Sequence, residues 1–228
     1  MKVLAIETST EACSAAVWVD GDVISRQEVA PQRHAALLLG QVDEVLGEAG
    51  LTIAELDRLG FARGPGSFTG VRIATSVIQG LAYGASIPVA PISTLLVLAE
   101  GMRRLHGVDA VVPALDARRG EVYIGGFRHD GTRWSSVFDE SVSPPTRSHT
   151  GNFEALDTST WVGVGSGWAS YPDELTTALS AFGAFEIKTG YPDAIDVAVL
   201  AATMPSASTV TAAEALPVYL RDEVVIKR

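Results

Sequence analysis

An internal duplication constrains the fold of this chain more strongly than any other feature of its sequence. Residues 3–29 and 111–137 each begin with a short apolar run that ends at a carboxylate, Glu7 in the first copy and Asp116 in the second. Each copy continues through a second apolar run to an Asp-Gly pair, which is a strong hairpin signal, and then enters a third run. The carboxylates lie 109 positions apart and the Asp-Gly pairs 110. The sequence therefore predicts two copies of one three-stranded unit.

Helical periodicity follows the first unit. Apolar residues recur at spacings of three and four over 34–49, and a second apolar helix is predicted to begin near Gly70. Short apolar runs after these helices predict further strands. The second half repeats the order less clearly, with a Gly-rich turn at 163–168 and a helix capped by Asp193.

The predicted order is three antiparallel strands followed by helix, strand, helix and strand, and the chain contains it twice. This is the layout of the actin, hexokinase and Hsp70 superfamily. We therefore predict an α/β chain with a duplicated actin-like (ribonuclease H-like) fold, in which each of two lobes has a mixed sheet flanked by helices. The first lobe is assigned to residues 1–107 and carries the helices that contact partners. The second is assigned to 108–228, with the C-terminal tail packing back on the first lobe.

Charge and composition exclude several functions. The chain has 17 basic and 27 acidic residues, a net charge of −10, whereas a protein that holds nucleic acid by itself usually has a basic face. If RNA is involved, another subunit is expected to hold it. The single cysteine, Cys13, excludes a disulfide framework and fits a reducing cytoplasm. Pro88 and Pro91 interrupt the longest apolar stretch, so no membrane segment is expected.

Residues 62–72 combine three glycines, a proline and two hydroxyl residues. Their spacing fits neither a P-loop nor a dinucleotide-binding fingerprint. Anion binding at the helix start, with free amides and Arg72, is one interpretation. The structural interpretation explains more residues, since the proline and glycines make a sharp turn, Ser67 or Thr69 caps the helix, and Phe68 anchors the loop in the core.

The helix that follows is apolar on more than one side. Its own sheet can cover only one side, so the other indicates either a deep core or a protein partner, and we favour the partner. A row of small residues at a spacing of four, which lets another helix approach closely, consists of Ser76, Gly80 and Gly84.

Few residues have the spacing that catalysis needs. The four histidines are too far apart to place two metal ligands on one helix face, and we expect His34 at the surface of a helix start. Cys13 is expected to be a buried small hydrophobe. The remaining acid pair is Glu7 and Asp116, whose equivalents in an actin-like kinase hold Mg²⁺. We expect Arg118 near Asp116 to form a salt bridge or contact a partner, with anion binding as the alternative.

Several stretches resemble the TsaB (YeaZ) family of bacterial tRNA threonylcarbamoyladenosine biosynthesis proteins. The resemblance covers nearly the whole chain, is most specific at 62–72 and 116–123, and extends to IETSTEACSAAVW, QGLAYG, ISTL, VGSGW and AEALPVYLR. Family members commonly carry Asp where this chain has Glu7. Glu in place of Asp counts against a metal or phosphate role of position 7, but it does not affect the predicted fold.

The resemblance implies a subunit that is not itself an enzyme and binds no cofactor or metal. Such a subunit forms a heterodimer with its catalytic paralogue TsaD, works with the ATPase TsaE, and is a homodimer when alone. The complex transfers a threonylcarbamoyl group from its adenylate to N6 of adenosine 37 in tRNAs that read ANN codons. Contact with tRNA is then expected only through the complex, in the cytoplasm. The paralogue is expected to use an H-x-x-x-H metal pair, which this sequence lacks.

The same resemblance places the partner interface on the two helices of the first lobe. The candidate residues are Leu38, Val42, Val71, Arg72, Thr75, Ser76, Ile78, Gly80, Leu81 and Gly84. No catalytic or metal residue is assigned, and the cofactor-binding candidates are Glu7, Asp116 and Arg118. The alternative function is an actin-fold nucleotide-binding enzyme or a glycoprotease-like metallohydrolase.

Overall fold

Both copies of the duplicated segment fold into a five-stranded mixed sheet. The structure is a computed structural model that describes residues 1–147 and 160–221. The strands of the first sheet are β1 (Lys2–Glu7), β2 (Ala12–Val19), β3 (Asp22–Val29), β4 (Arg58–Ala62) and β5 (Val89–Ile92). Those of the second are β6 (Ala110–Arg118), β7 (Glu121–His129), β8 (Trp134–Ser143), β9 (Trp161–Val164) and β10 (Phe185–Lys188).

The two sheets have the same topology. The strand order is β3-β2-β1-β4-β5 in the first and β8-β7-β6-β9-β10 in the second. In each sheet the first three strands are antiparallel, and the last two run parallel to the first. This is the duplicated α/β arrangement that the sequence predicts.

The helices are α1 (His34–Ala49), α2 (Phe68–Ala85), α3 (Thr94–His106), α4 (Ser166–Ser170), α5 (Pro172–Ala178) and α6 (Ala194–Thr203). The chain divides into two units: Met1–Val97 with Tyr191–Val218, and Leu98–Gly190 with Tyr219–Arg228. Helix α6 therefore belongs to the first unit although it lies late in the sequence. The Asp193 carboxylate caps α6 by accepting a hydrogen bond from the amide of Ile195 (3.0 Å).

Strand β1 is buried on both faces of the first sheet, which explains its continuous apolar run. Leu4 and Ile6 point into a cluster that α1 and α2 complete, while Val3 and Ala5 point into a second cluster that α6 completes. The second cluster is rich in alanine and leaves little space between helix and sheet. A Cβ atom at Gly60 would lie 3.0 Å from that of Ala201 on α6.

The core of the second unit is more aromatic. Trp161 and Trp168 are fully buried there and pack with Leu175, Phe182 and strands β6 and β7. None of the described helices is long and apolar enough to cross a membrane.

Candidate functional site

The loop before α2 lies directly on the turn that follows β1. The Ser67 amide donates a hydrogen bond to the Ser9 carbonyl oxygen (2.7 Å), and the Thr8 hydroxyl donates to the Gly70 carbonyl oxygen (2.7 Å). A Cβ atom at Gly70 would lie well within 3.0 Å of the Thr8 carbonyl oxygen, and Gly66 is similarly close to Ser9. Two glycines of this loop are thus needed so that one backbone can approach another.

The first turn of α2 confirms one expectation and corrects another. Ser67 caps the helix, since its hydroxyl accepts a hydrogen bond from the Gly70 amide (3.3 Å). The expectation that Phe68 anchors the loop in the core is wrong, because its side chain is 48% exposed. Its ring instead lies under the Arg72 guanidinium, 3.6 Å from the ring centroid.

Glu7 is fully buried at the end of β1. Its Oε1 accepts hydrogen bonds from the amide (2.6 Å) and the hydroxyl of Ser9, while Oε2 has no hydrogen-bond partner among the described residues. Burial raises the pKa of Glu7 to about 8, the Ser9 hydrogen bonds oppose this rise, and the charge of Asp193 adds to it. The protonated, uncharged form is therefore favoured at neutral pH.

Asp116 and Arg118 meet in the hairpin between β6 and β7. The Asp116 carboxylate accepts hydrogen bonds from the Arg118 amide (2.8 Å) and guanidinium (2.9 Å). Arg118 and Arg119 both have positive φ, 62° and 59°, which the turn imposes. Glu121 forms an ion pair with Arg221. The carboxylates of this hairpin thus pair with arginines of the same unit, while Glu7 belongs to the other unit.

The Gly-rich turn at 163–168 is filled by a tryptophan. A Cβ atom at Gly163 would lie 2.5 Å from the Trp168 ring, and the Trp168 indole donates a hydrogen bond to the Val112 carbonyl oxygen (2.7 Å). Cβ atoms at Gly165 and Gly167 would both lie less than 3.0 Å from Ala114 on β6. Gly163 therefore makes space for the buried indole, and Gly165 and Gly167 let the turn pack against β6.

The histidine and cysteine expectations have different outcomes. His34 is only 7% exposed and its Nε2 lies 3.1 Å from the Ala12 carbonyl oxygen, so the expected surface position is wrong. Cys13 is buried as expected, and burial raises its thiol pKa to about 12. Among the described residues, no three His, Cys, Asp or Glu side chains are grouped to hold a metal ion.

The structure separates the ten interface candidates into two sets. The buried ones pack between helix and sheet and are unavailable to a partner: Leu38, Val42, Val71, Thr75 and Ile78. Their burial reflects packing within the protein's own first unit. Arg72, Ser76, Gly80 and Gly84 are exposed on α2, and Leu81 is half-buried.

Helices α1 and α2 cover the same side of the first sheet and contact one another. Their outward sides form what we call the α1/α2 face: Ala36, Leu39, Gly40, Arg72, Ser76, Gly80, Tyr83 and Gly84. Sequence reasoning missed its two large apolar residues, Tyr83 (84% exposed) and Leu39 (53% exposed). A helical-wheel projection opposite the buried stripe could have found both.

Comparison with known proteins gives consistent results. The family model of TsaD, described as tRNA N6-adenosine threonylcarbamoyltransferase, matches residues 22–215. The tRNA threonylcarbamoyladenosine biosynthesis protein TsaB of Escherichia coli (strain K12) is 38% identical over all of this chain and 98% of its own. TsaB of Haemophilus influenzae is 35% identical over all of this chain and 97% of its own. The solved structure of YeaZ from Pseudomonas aeruginosa superposes with a TM-score of 0.86 at 39% identity, covering 96% of this chain and 99% of that one.

Proposed function

The chain belongs to the TsaB (YeaZ) family of tRNA threonylcarbamoyladenosine biosynthesis proteins, and we propose that it acts there as a non-catalytic subunit. Its role is to bind a TsaD-type transferase through the α1/α2 face and hold it in an active arrangement. The ATPase TsaE joins the larger complex, tRNA is contacted only through that complex, and the complex works in the cytoplasm. A second copy of the chain occupies the α1/α2 face when the transferase is absent.

The α1/α2 face is the observation that carries this proposal. Ser76, Gly80 and Gly84 form a row of small residues on one side of α2, so a partner helix can approach the backbone closely along this row. Tyr83 offers a large apolar anchor with a polar tip, a side chain enriched at the centres of interfaces. An interface of ordinary size buries about 1,600 Å² in total, which two helices and their neighbours can supply.

The proposal that the chain is not catalytic is supported by the contacts that its candidate site residues make. Glu7 is buried against Ser9, and Asp116 pairs with Arg118. The Gly-rich turn is filled by Trp168. The two candidate acids are thus engaged within the protein.

Replacing Gly80 with tryptophan is expected to weaken the transferase complex at least about a hundredfold. The indole fills the groove that a partner helix needs. Apart from residues 79 and 81 and the backbone of α2 itself, no described atom lies within 4 Å of a Cβ at position 80. Size-exclusion chromatography and calorimetry with purified TsaD measure the effect. Thr177→Trp is the matched control, because it adds the same indole to an exposed position of α5. Undiminished complex formation by Gly80→Trp would contradict the assignment of the face.

Calorimetry of the isolated chain with ATP and Mg²⁺ is expected to show no micromolar binding. The acids are engaged, and the loops that could surround phosphate are packed against backbone or indole. Micromolar binding, or turnover of any peptide or nucleotide substrate, would favour the alternative function of an actin-fold enzyme.

A further inference from the structure

Glu7 is connected to the α1/α2 face through a single backbone turn. We infer that Glu7 is a positioning residue, which sets the place of the first turn of α2 through Thr8 and Ser9 and so aligns the face for its partner. The inference rests on the proposed function, because it concerns how the docking helix is held.

The first link joins the Glu7 carboxyl group to Ser9. One oxygen, Oε1, accepts two hydrogen bonds from this residue, from its amide and from its hydroxyl. Both partners belong to one residue in a buried turn, so the carboxyl group determines the conformation of that turn. Ser9 is 1% exposed and Thr8 is fully buried, which leaves no solvent to replace a lost acceptor.

The second link joins the turn to α2. Ser9 accepts a hydrogen bond from Ser67, the residue that caps α2, and Thr8 donates one to Gly70 in the first turn of the helix. Gly66 and Gly70 bring the two backbones so close that neither segment can shift without displacing the other. A displaced Thr8–Ser9 turn therefore moves the start of α2.

The third link is the helix itself. Arg72 lies one turn beyond Ser67, and Ser76, Gly80 and Tyr83 follow on the same rigid helix. The residues of a binding face must be kept within about 0.5 Å of their binding positions by the residues that pack beneath them. Glu7 and its turn supply this support from the buried side of α2.

The protonation state of Glu7 makes its effect on α2 measurable as a dependence on pH. The groups that act on its carboxyl are Asp193 at the start of α6, Ser9 on its own turn and the backbone of Thr8. Cys13 on β2 lies close enough for the pKa of its thiol to respond to the Glu7 charge. None of these groups supplies a positive charge. Ionisation above neutral pH places a charge in this buried turn. Burial and Asp193 disfavour that charge, and the Ser9 hydrogen bonds offset the cost only in part, so the start of α2 is expected to loosen.

The first experiment measures amide hydrogen exchange of the isolated full chain at pH 7. Glu7→Ala is expected to accelerate exchange of the Gly70 and Val71 amides about tenfold or more, while Glu7→Gln, which keeps an acceptor oxygen, stays close to wild type. Ser14→Ala is the matched control. It removes a buried acceptor beside Glu7 on β2 that serves α6, through the amide of Ala194, and not α2. Uniform acceleration over the whole first unit, or none at α2, would overturn the inference.

The second experiment measures the Kd for purified TsaD from pH 6 to pH 9. The wild-type chain is expected to bind about tenfold or more weakly at pH 9 than at pH 7, and Glu7→Gln is expected to remove this change. Glu7→Ala should bind about tenfold more weakly than wild type at pH 7. If Glu7→Gln, which keeps the acceptor oxygen, binds TsaD at pH 7 about tenfold or more weakly than wild type, the positioning role is wrong even if Glu7→Ala fails to fold. If no variant binds TsaD at any pH while exchange at α2 still responds to Glu7, the proposed function fails and the positioning of α2 stands.

Discussion

Replacing Gly70 with alanine is expected to lower the free energy of unfolding by about 3 kcal/mol or more. The new Cβ atom would lie far inside the contact distance of the Thr8 carbonyl oxygen, and both atoms are held by backbone. To relieve the overlap, α2 must move away from the turn. It then gives up the hydrogen bonds from the Thr8 hydroxyl to Gly70 and from the Ser67 amide to Ser9, in which Thr8, Ser9 and Gly70 are buried. Urea unfolding followed by circular dichroism measures the change as a lower midpoint.

Gly80→Ala provides the control within the same helix. Beyond the adjacent residues and the backbone of α2 itself, no described atom lies within 4 Å of a Cβ at Gly80. The alanine therefore adds only helix propensity, worth about 0.5–1 kcal/mol of stabilisation. The two substitutions are chemically identical and differ only in surroundings. If Gly70→Ala proves as stable as Gly80→Ala, the close approach of α2 to the β1–β2 turn is wrong.

Glu7→Gln is expected to stabilise the protein at pH 8. It should also remove most of the stability that the wild-type protein loses as pH rises above 4.5. Burial raises the pKa of Glu7 from 4.5 to about 8, so the folded state keeps a proton that the unfolded state releases. This contribution is fully present below pH 4.5 and is lost as pH rises towards 8, at up to about 1.4 kcal/mol per pH unit and several kcal/mol in total. Glutamine stays neutral at every pH and keeps an oxygen for Ser9.

The measurement is urea unfolding of both proteins at intervals from pH 4.5 to pH 9. Glu11→Gln serves as the control, since it removes an exposed carboxylate a few residues away. Wild type and Glu11→Gln should lose stability together as pH rises, while Glu7→Gln should not. Parallel curves for all three proteins would show that Glu7 is ionised in the folded state at neutral pH.

The interface candidates show that helical periodicity in the sequence does not identify which side of a helix is buried. The apolar stripes of α2 are visible in the sequence, but periodicity does not say which stripe contacts the sheet. Val71 and Ile78 proved to be buried, whereas Ser76 and Gly80 are exposed. Which side of a helix faces the core depends on the sheet beneath it, and the sheet brings together strands from distant parts of the chain.

The sequence by itself determined the duplicated three-stranded units, the hairpins at Asp20 and Asp130, and the cap of α6 at Asp193. These features depend on residues a few positions apart, through backbone dihedral preferences, strand alternation and hydrogen bonds within one turn. Only the tertiary structure decided that Gly70 contacts Thr8, that α6 covers the first sheet, and that Glu7 is buried beside Asp193, with no cation among the described residues acting on its carboxyl. Each of these results requires segments from about 60 to nearly 190 positions apart to pack together, and neither local conformation nor periodicity encodes such contacts.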